Sequence, residues 1–203
     1  MSEIKITYFP VKALAEPIRM LLKYGNINFD DNRFQQENWP NIKPDMPFGQ
    51  VPIYEEAGRI AHQSIAITRY VAKKVKLVGD SDWENLEIDS VVDTINDLRQ
   101  KIAYYWYEQD AAVKESRKGP LIEETLPFYL TRLESIAEKN NGHFALKKLT
   151  WADIYFTGLL DYLNFMLGTN MIEKYPNLQA VANNVRSVPA IKSWIETRPQ
   201  SDL

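Results

Sequence analysis

The sequence VPIYEEAGRIAHQSIAITRYVAKK, residues 51–74, predicts a β-hairpin that leads directly into a helix. The part VPIYEEAGRIA has the pattern of a hairpin, and after Gln63 the apolar residues recur at helical spacing. Ser64, at the start of this helix, has two interpretations. Serine is a favoured N-cap, because its hydroxyl accepts a hydrogen bond from an orphan backbone N–H. Alternatively, Gln63 and Ser64 mark a helix N-terminus that binds an anion.

The residues before this stretch alternate between strand and helix patterns. Residues 4–8 have the period-two apolar pattern of a strand, residues 15–25 predict a helix, and residues 27–34 predict a second strand. A long loop, QQENWPNIKPDMPFG at residues 35–49, precedes the hairpin, and such loops are often functional. The order βαβ followed by ββα predicts a small mixed sheet flanked by helices.

The chain from Trp83 onward has an almost entirely helical pattern, with one apolar stripe from Leu86 to Tyr105. Further helices are predicted at residues 120–142, 149–167, 176–188 and 189–199. Thr150 and Asp153 form a capping-box pattern and are assigned to folding. We predict a first domain at residues 1–76, a linker at residues 77–83 and an all-helical second domain at residues 84–203.

The composition excludes several classes of function. The 203 residues carry a net charge of −3, so no global positive field attracts nucleic acid or an acidic membrane. There is no cysteine, which excludes a disulfide framework, a thiolate metal site and a cysteine nucleophile. His62 and His143 lack metal-ligand spacing. No apolar run has membrane-spanning length and the N-terminus lacks a signal-peptide pattern, so we expect a soluble, cytoplasmic protein.

Pro52, at the start of the hairpin, cannot donate a hydrogen bond to a β-ladder. It fits an edge strand, or a cis bond in a tight turn, although only about 5% of X–Pro bonds are cis. A cis Val51–Pro52 bond would hold the backbone groups of Val51 outward, where a peptide-like ligand can pair with them.

Several ordered motifs together resemble the cytosolic glutathione S-transferases. Tyr8 ends the first strand, PFGQVPI precedes the hairpin, HQSIAITRY opens the following helix and LTWADIYF lies in the helical half. The strings YFPVKALAEPIR, ENWPNIKP and VVDTINDLR resemble the sigma class, particularly its insect members. That class also includes the vertebrate haematopoietic prostaglandin D synthases. The resemblance implies a thioredoxin-like first domain, an all-α second domain and a homodimer.

The resemblance implies that glutathione is the co-substrate and lies along the first domain. Gln63 and Ser64 would hold its γ-glutamyl carboxylate, which favours the anion-site interpretation. The backbone of Val51, with Pro52 cis, would pair with the cysteinyl part, and Gln50 would add a hydrogen bond without charge. The residues assigned to glutathione binding are Tyr8, Trp39, Lys43, Gln50, Val51, Pro52, Gln63, Ser64 and Asp97.

Within that set, Trp39 and Lys43 would hold the glycyl end of glutathione, where lysine suits a carboxylate as a mobile point charge. Asp97 would reach across the dimer interface to the glutathione ammonium, so that each site needs both subunits. Some prostaglandin synthase relatives bind a divalent cation at the positions of Asp93, Asn96 and Asp97. Asn96 removes one charge here, and we expect that no metal is required.

Tyr8 is the catalytic residue that the resemblance implies. A phenol with a pKa of about 10 stays protonated at neutral pH and can donate a hydrogen bond to a thiolate. Lowering the pKa of a thiol from about 8.5 by roughly two units requires about 2.7 kcal/mol of preferential thiolate stabilisation. One charge-assisted hydrogen bond plus oriented backbone dipoles can supply that energy. Without the surrounding motifs, a core tyrosine at a strand end would be the favoured interpretation.

The resemblance also suggests a pocket for the electrophile, although each of its residues could equally belong to the core. These residues are Phe9, Leu14, Tyr104, Tyr107, Tyr155, Leu159 and Leu203. Vertebrate prostaglandin D synthases carry arginine at the position of Leu14 and tryptophan at that of Tyr104. An apolar pocket lined by tyrosines suits lipid-derived carbonyl compounds, whose oxygen can accept a hydrogen bond.

The function implied by these features is conjugation of glutathione to hydrophobic electrophiles, such as unsaturated aldehydes from lipid peroxidation. Prostaglandin isomerisation and glutathione peroxidase activity are further enzymatic alternatives. A non-catalytic protein that binds glutathione or hydrophobic ligands, or a crystallin-like structural protein, is the alternative from another class. The enzyme is favoured by the joint presence of Tyr8, Trp39, Lys43, Gln63, Ser64 and Asp97, while Leu14 and Gln50 leave the alternative open.

Overall fold

The computed structural model describes residues 3–201, so Leu203 of the expected electrophile pocket lies outside the described residues. In this range four strands form one mixed sheet in the order β2-β1-β3-β4. They are β1 (Ile4–Tyr8), β2 (Asp30–Arg33), β3 (Ile53–Glu56) and β4 (Arg59–His62). The parallel β1–β2 pair and the antiparallel β1–β3 and β3–β4 pairs confirm the predicted mixed sheet.

The described helices comprise two in the long segments between strands, one after the hairpin, and a helical second part. They are α1 (Glu16–Tyr24), α2 (Trp39–Ile42), α3 (Ser64–Lys74), α4 (Asp82–Trp106), α5 (Ala111–Pro120), α6 (Leu126–Lys139), α7 (Trp151–Leu167), α8 (Pro176–Ser187) and α9 (Pro189–Thr197). No helix between residues 3 and 201 is long and apolar enough to span a bilayer. The thioredoxin-like first part followed by an all-helical part confirms the expected fold class.

Two helix boundaries differ from the sequence-based expectation. The helix expected to begin at Pro120 is preceded by α5, which begins at Ala111 because the Asp110 side chain accepts hydrogen bonds from the first free backbone amides. A π-helical turn, Leu121–Thr125, joins α5 to α6. Helix α4 begins at Asp82, after a capping box, so the last two residues of the expected linker are helical.

Helix α7 lies at the centre of the core and is buried over most of its length. Its first turn is fixed by Asp153, whose fully buried carboxylate accepts hydrogen bonds from the backbone N–H groups of Thr150 (2.7 Å) and Phe144 (2.8 Å). This contact confirms the structural assignment of the capping box. Helix α7 packs against α1 and α4, and it therefore joins the sheet-containing part to the helical part.

The contact between α7 and α1 depends on Gly158. A Cβ atom at this position would lie 3.0 Å from the backbone nitrogen of Pro17, which is closer than ordinary van der Waals contact. A side chain here would force the two helices apart, and such overpacking typically costs about 1–3 kcal/mol.

We expect Gly158→Ala to lower the free energy of unfolding by about 1–2 kcal/mol, because overpacking exceeds the roughly 1 kcal/mol gained in helix propensity. Gly119→Ala is the matched control, since Gly119 is also helical but a Cβ there would meet nothing within 4 Å. Denaturant unfolding of both variants checks the prediction. Equal stability of the two variants would contradict the proposed close contact.

Candidate active site

Tyr8 lies at the carboxyl end of β1, with its side chain buried against Phe9 and Arg19. Its hydroxyl oxygen accepts a long hydrogen bond of 3.4 Å from the backbone N–H of Leu14. Burial raises the pKa of Tyr8 to about 12, while the Leu14 N–H bond acts in the opposite direction. The phenol therefore keeps its proton at neutral pH and can donate it to an acceptor.

A cleft of about 550 Å³ opens between the sheet-containing part and helix α4. Tyr8 does not itself line the cleft, but Phe9, which follows it, and Leu14, from whose N–H it accepts a hydrogen bond, both do. The cleft brings together eight of the residues predicted to form the site: Phe9, Leu14, Trp39, Gln50, Val51, Pro52, Gln63 and Ser64. The Val51–Pro52 peptide bond is cis, as the resemblance implies.

The N-terminus of α3 forms one end of the cleft. Ser64 is the first helical residue, and Gln63 occupies the N-cap position with φ +73° and no side-chain cap, so the structure contradicts the interpretation of Ser64 as the N-cap. The first intrahelical bond runs from Ile67 N–H to Gln63 C=O, which leaves the preceding amides without a helical partner. Together with the helix dipole, these amides favour a bound anion.

Trp39, on the long loop, also lines the cleft, and Lys43 lies close to it on the same loop. The Trp39 ring stacks on Phe34 at a centroid distance of 5.7 Å and meets Phe9 edge-on at 5.3 Å, which fixes its position. A Cβ atom at Gly49 would lie only 3.2 Å from Cε of Lys43, so the lysine side chain passes directly over this cleft residue. The lysine is thus close to the rim although it does not line the cleft.

Asp97 faces a neighbouring groove of about 550 Å³ rather than the cleft of its own chain. The groove is lined by Asp97, Gln100, Lys101, Tyr104 and Tyr129, and Gln100 also lines the cleft. The two cavities are therefore neighbours along α4. Among residues 3–201, no three His, Asp or Glu side chains could together hold a metal ion.

The remaining residues suggested for the electrophile pocket lie outside the cleft. Tyr155 and Leu159 are fully buried in the core of α7, because that helix packs on both α1 and α4. Tyr104 is exposed and is held by Arg117, which lies 3.6 Å from the ring centroid and donates to its hydroxyl at 2.8 Å. Tyr107 shares a 3.0 Å hydrogen bond with Tyr162.

The family comparison agrees with this geometry. Residues 96–198 match the family model described as the C-terminal domain of glutathione S-transferase. A glutathione S-transferase of Anopheles gambiae is 52% identical over 203 residues, which cover 100% of both chains. The chain belongs to the glutathione S-transferase family. A glutathione S-transferase S1 of Drosophila melanogaster is 49% identical, over 97% of this chain and 79% of the relative.

Other relatives of this glutathione S-transferase carry prostaglandin synthase names. The solved structure of prostaglandin synthase D of Nilaparvata lugens has a TM-score of 0.94 and 41% identity, and it covers 98% of this chain and 99% of its own. A hematopoietic prostaglandin D synthase of Gallus gallus is 37% identical over 100% of both chains. Both similarities extend over the whole fold and so do not distinguish between the reactions of the family.

Sequence reasoning missed several polar residues that the glutathione S-transferase fold places in the cleft. They are His62, Asn96, Arg99 and Gln100, and the non-polar residues Gly49 and Ile65 also line the cleft. Arg99 is the most informative, because its charge acts on Tyr8 and Tyr162 to lower their pKa against the larger effect of burial. The spacing of Asn96, Arg99 and Gln100 on one face of α4 is the signal that could have identified them.

We expect the stability difference between wild type and Tyr8→Phe to shrink by about 1.4 kcal/mol between pH 8 and pH 11. In the unfolded chain Tyr8 ionises near pH 10, whereas in the folded protein it stays protonated until about pH 12. Its stabilising effect is complete below pH 10 and is lost as the pH rises toward 12. Denaturant unfolding at both pH values measures this, and a difference that does not vary with pH would contradict the buried, protonated phenol.

Proposed function

We propose that this chain is a sigma-class, cytoplasmic, homodimeric glutathione transferase that uses Tyr8 to stabilise the thiolate of glutathione. Its electrophiles are hydrophobic compounds, with unsaturated aldehydes from lipid peroxidation as the proposed class. The observation that carries the proposal is the buried Tyr8 hydroxyl, whose oxygen accepts a hydrogen bond from the N–H of Leu14, a residue that lines the cleft together with the N-terminus of α3. The cytoplasm holds a reduced glutathione pool, which suits this location.

Glutathione fits the cleft because the cleft has two anion sites. The free amides of α3, with Gln63 and Ser64, suit the γ-glutamyl carboxylate. Lys43 and the fixed ring of Trp39 suit the glycyl carboxylate. Val51 also lines the cleft, where its backbone can pair with the cysteinyl residue and direct the thiol toward Tyr8.

The chemical step begins with the ionised thiol. The Tyr8 O–H donates a hydrogen bond to the sulfur, and this charge-assisted bond favours the thiolate over the thiol. The thiolate then attacks the β-carbon of the unsaturated aldehyde and forms a C–S bond, while the electron pair of the C=C bond moves to give an enolate. A proton from solvent completes the adduct, so no oxidant or reductant is required.

The electrophile side of the cleft combines apolar and polar groups. Phe9, Leu14 and Ile65 offer an apolar surface for an alkyl chain, while Arg99 offers a cation for the developing enolate oxygen. A carbonyl compound with an apolar tail matches this combination.

A homodimer accounts for the position of Asp97. The carboxylate lies in the groove beside the cleft, on the surface of α4, and a partner placed there would bring its own glutathione ammonium within reach. Elsewhere in the sheet-containing part, Phe48 is 83% exposed, and Ile60 on the edge strand β4 is 63% exposed. Exposed apolar residues on a sheet edge are usually covered, and a second copy would cover them.

Prostaglandin isomerisation is the second candidate, because a prostaglandin synthase D shares the whole fold with this chain at a TM-score of 0.94. Leu14 and Tyr104 weigh against it, because the vertebrate synthases carry arginine and tryptophan at these positions. In the structure Tyr104 lies in the groove, held by Arg117, rather than in the cleft.

We expect the purified protein to catalyse glutathione-dependent loss of an α,β-unsaturated aldehyde such as 2-nonenal. Tyr8→Phe should lower kcat/KM by about 10- to 100-fold, since a hydrogen bond to a charged group contributes about 1.5–3 kcal/mol. Loss of the enal absorbance measures the rate. Equal rates in wild type and Tyr8→Phe would contradict the proposed role of Tyr8, and turnover of a prostaglandin endoperoxide alone would favour the second candidate.

We expect Asp97→Asn to raise the KM for glutathione about tenfold, as the loss of one charged contact implies. Asp93→Asn, on the same helix, is the control and should have a smaller effect. Mixed dimers of Tyr8→Phe and Asp97→Asn subunits test the geometry. If Asp97 serves the partner, one site in each mixed dimer carries both changes and the other is wild type, so wild-type KM returns at half the activity. If Asp97 serves its own subunit, no wild-type site forms.

A further inference from the structure

Arg19 is a fully buried cation beneath the site, and the proposed reaction does not use it directly. Its side chain is 0% exposed, and its guanidinium carbon lies 5.9 Å from the centre of the Tyr8 ring. A buried charge is costly unless it is paired and hydrogen-bonded. The hydrogen-bond partners of Arg19 therefore show which elements of the fold its side chain connects.

These partners belong to three different elements. Nε donates to Asp31 on β2 at 2.9 Å, and Nη1 donates to the backbone carbonyl of Val11 at 2.7 Å. Nη1 also lies 3.4 Å from the carbonyl of Lys12 and 3.4 Å from the carboxylate of Glu16 on α1. A guanidinium can serve these directions at once because its donors form a rigid, planar fork, which a lysine ammonium lacks.

The two carbonyls belong to the post-strand loop, residues 9–15, which follows Tyr8. In this loop Ala13 has φ +35°, a conformation that non-glycine residues rarely adopt without support from their surroundings. Directly after it, Leu14 N–H points to the Tyr8 hydroxyl oxygen. The direction of this N–H therefore depends on a strained loop. Arg19 holds that loop through the carbonyls of Val11 and Lys12, which precede Leu14.

We propose that Arg19 is a positioning residue for Tyr8: it holds the post-strand loop so that Leu14 N–H faces the tyrosine oxygen. The inference rests on the proposed function, in which the proton of Tyr8 is donated to the thiolate of glutathione. Hydrogen bonds in a chain polarise one another, so a donor on the oxygen strengthens the donation of the O–H to sulfur. Arg19 does not line the cleft, so in this role it reaches the site through the loop.

A direct electrostatic effect of the Arg19 charge is the competing explanation, and it makes a different prediction. The other groups that act on Tyr8 are Tyr107 and Arg99, and both remain in every variant below. Arg19→Lys keeps the positive charge but loses the planar set of guanidinium donors, whereas Arg19→Gln loses both the charge and that set of donors. Positioning predicts that both variants are impaired alike, while a charge effect predicts that Arg19→Lys behaves like the wild type.

The experiment is the pH profile of kcat/KM for 2-nonenal at saturating glutathione, which reports the ionisation of the thiol in the binary complex. We expect the limiting pKa to rise by about one unit, from about 6.5, in both Arg19→Lys and Arg19→Gln, so that activity falls about threefold at pH 7 and about tenfold at pH values well below 6. The rate at high pH and the KM for glutathione should change less, because the thiol still binds and ionises above the new pKa. A merely structural role would lower the rate at every pH.

Asp31→Asn keeps the test valid if Arg19 variants fold poorly, which circular dichroism would show. This substitution weakens the hydrogen bond to Nε of Arg19 at a side chain that is 18% exposed. We expect it to shift the pH profile of kcat/KM in the same direction as the Arg19 variants, by a smaller amount. Arg33→Gln is the matched control, because Arg33 binds the other oxygen of Asp31 at 2.8 Å and is not bonded to the loop. Its profile should be that of the wild type.

The outcomes separate this inference from the proposed function. If Tyr8→Phe shifts the profile but Arg19→Lys and Asp31→Asn do not, the positioning role is overturned and the function stands. If Tyr8→Phe has the same pH profile as the wild type, or if the wild type does not turn over the aldehyde, both the proposed function and the positioning role of Arg19 are contradicted. A shift in Arg19→Gln but not in Arg19→Lys would assign the effect to charge and overturn positioning.

Discussion

The buried carboxylate of Glu16 is the contact on which the rest of the structure depends. It is 0% exposed and accepts hydrogen bonds from Trp194 at 2.8 Å and from Arg198, just after α9, at 2.7 Å. Arg19 lies on its other side at 3.4 Å, and Arg198 continues to Asp161 on α7 at 2.8 Å. An unpaired carboxylate in this position would cost several kcal/mol, so the first and last helices are stable only when they are packed together.

The active site follows from this constraint. Helix α1 follows the post-strand loop directly, so the contacts that fix the start of α1 also fix the surroundings of Tyr8. The sheet-containing part supplies the tyrosine, the cis Val51–Pro52 bond and the N-terminus of α3, while α4 supplies Arg99 and lies across the cleft. Both parts therefore line the cleft, and the close contact at Gly158 holds α7 against α1 of the sheet-containing part.

The fold could be predicted largely from the sequence because most of its elements bury an apolar face. Helix α5 was missed for the opposite reason: none of its residues is buried, and its short sequence, AAVKESRKGP, is rich in charged residues. Lys114 and Arg117 hold it through hydrogen bonds to the end of α4. The site was predicted chiefly through the resemblance. Sequence patterning alone favours a core position for Tyr8. A helical arginine that lines a cleft, such as Arg99, cannot be distinguished from a solvent-exposed one until the element packed against its helix is known. Packing likewise decided that Tyr155 and Leu159 belong to the core.

The most direct test of this account is the ultraviolet absorbance of the glutathione thiolate, measured against pH in the binary complex without any electrophile. The account predicts a thiolate already present at neutral pH in the wild-type complex, about two units below the pKa of a free thiol near 8.5, and largely lost in Tyr8→Phe. Tight binding of glutathione without a thiolate at neutral pH, or an equal thiolate signal in Tyr8→Phe, would contradict it. The first of these results would identify a glutathione-binding protein that does not activate the thiol.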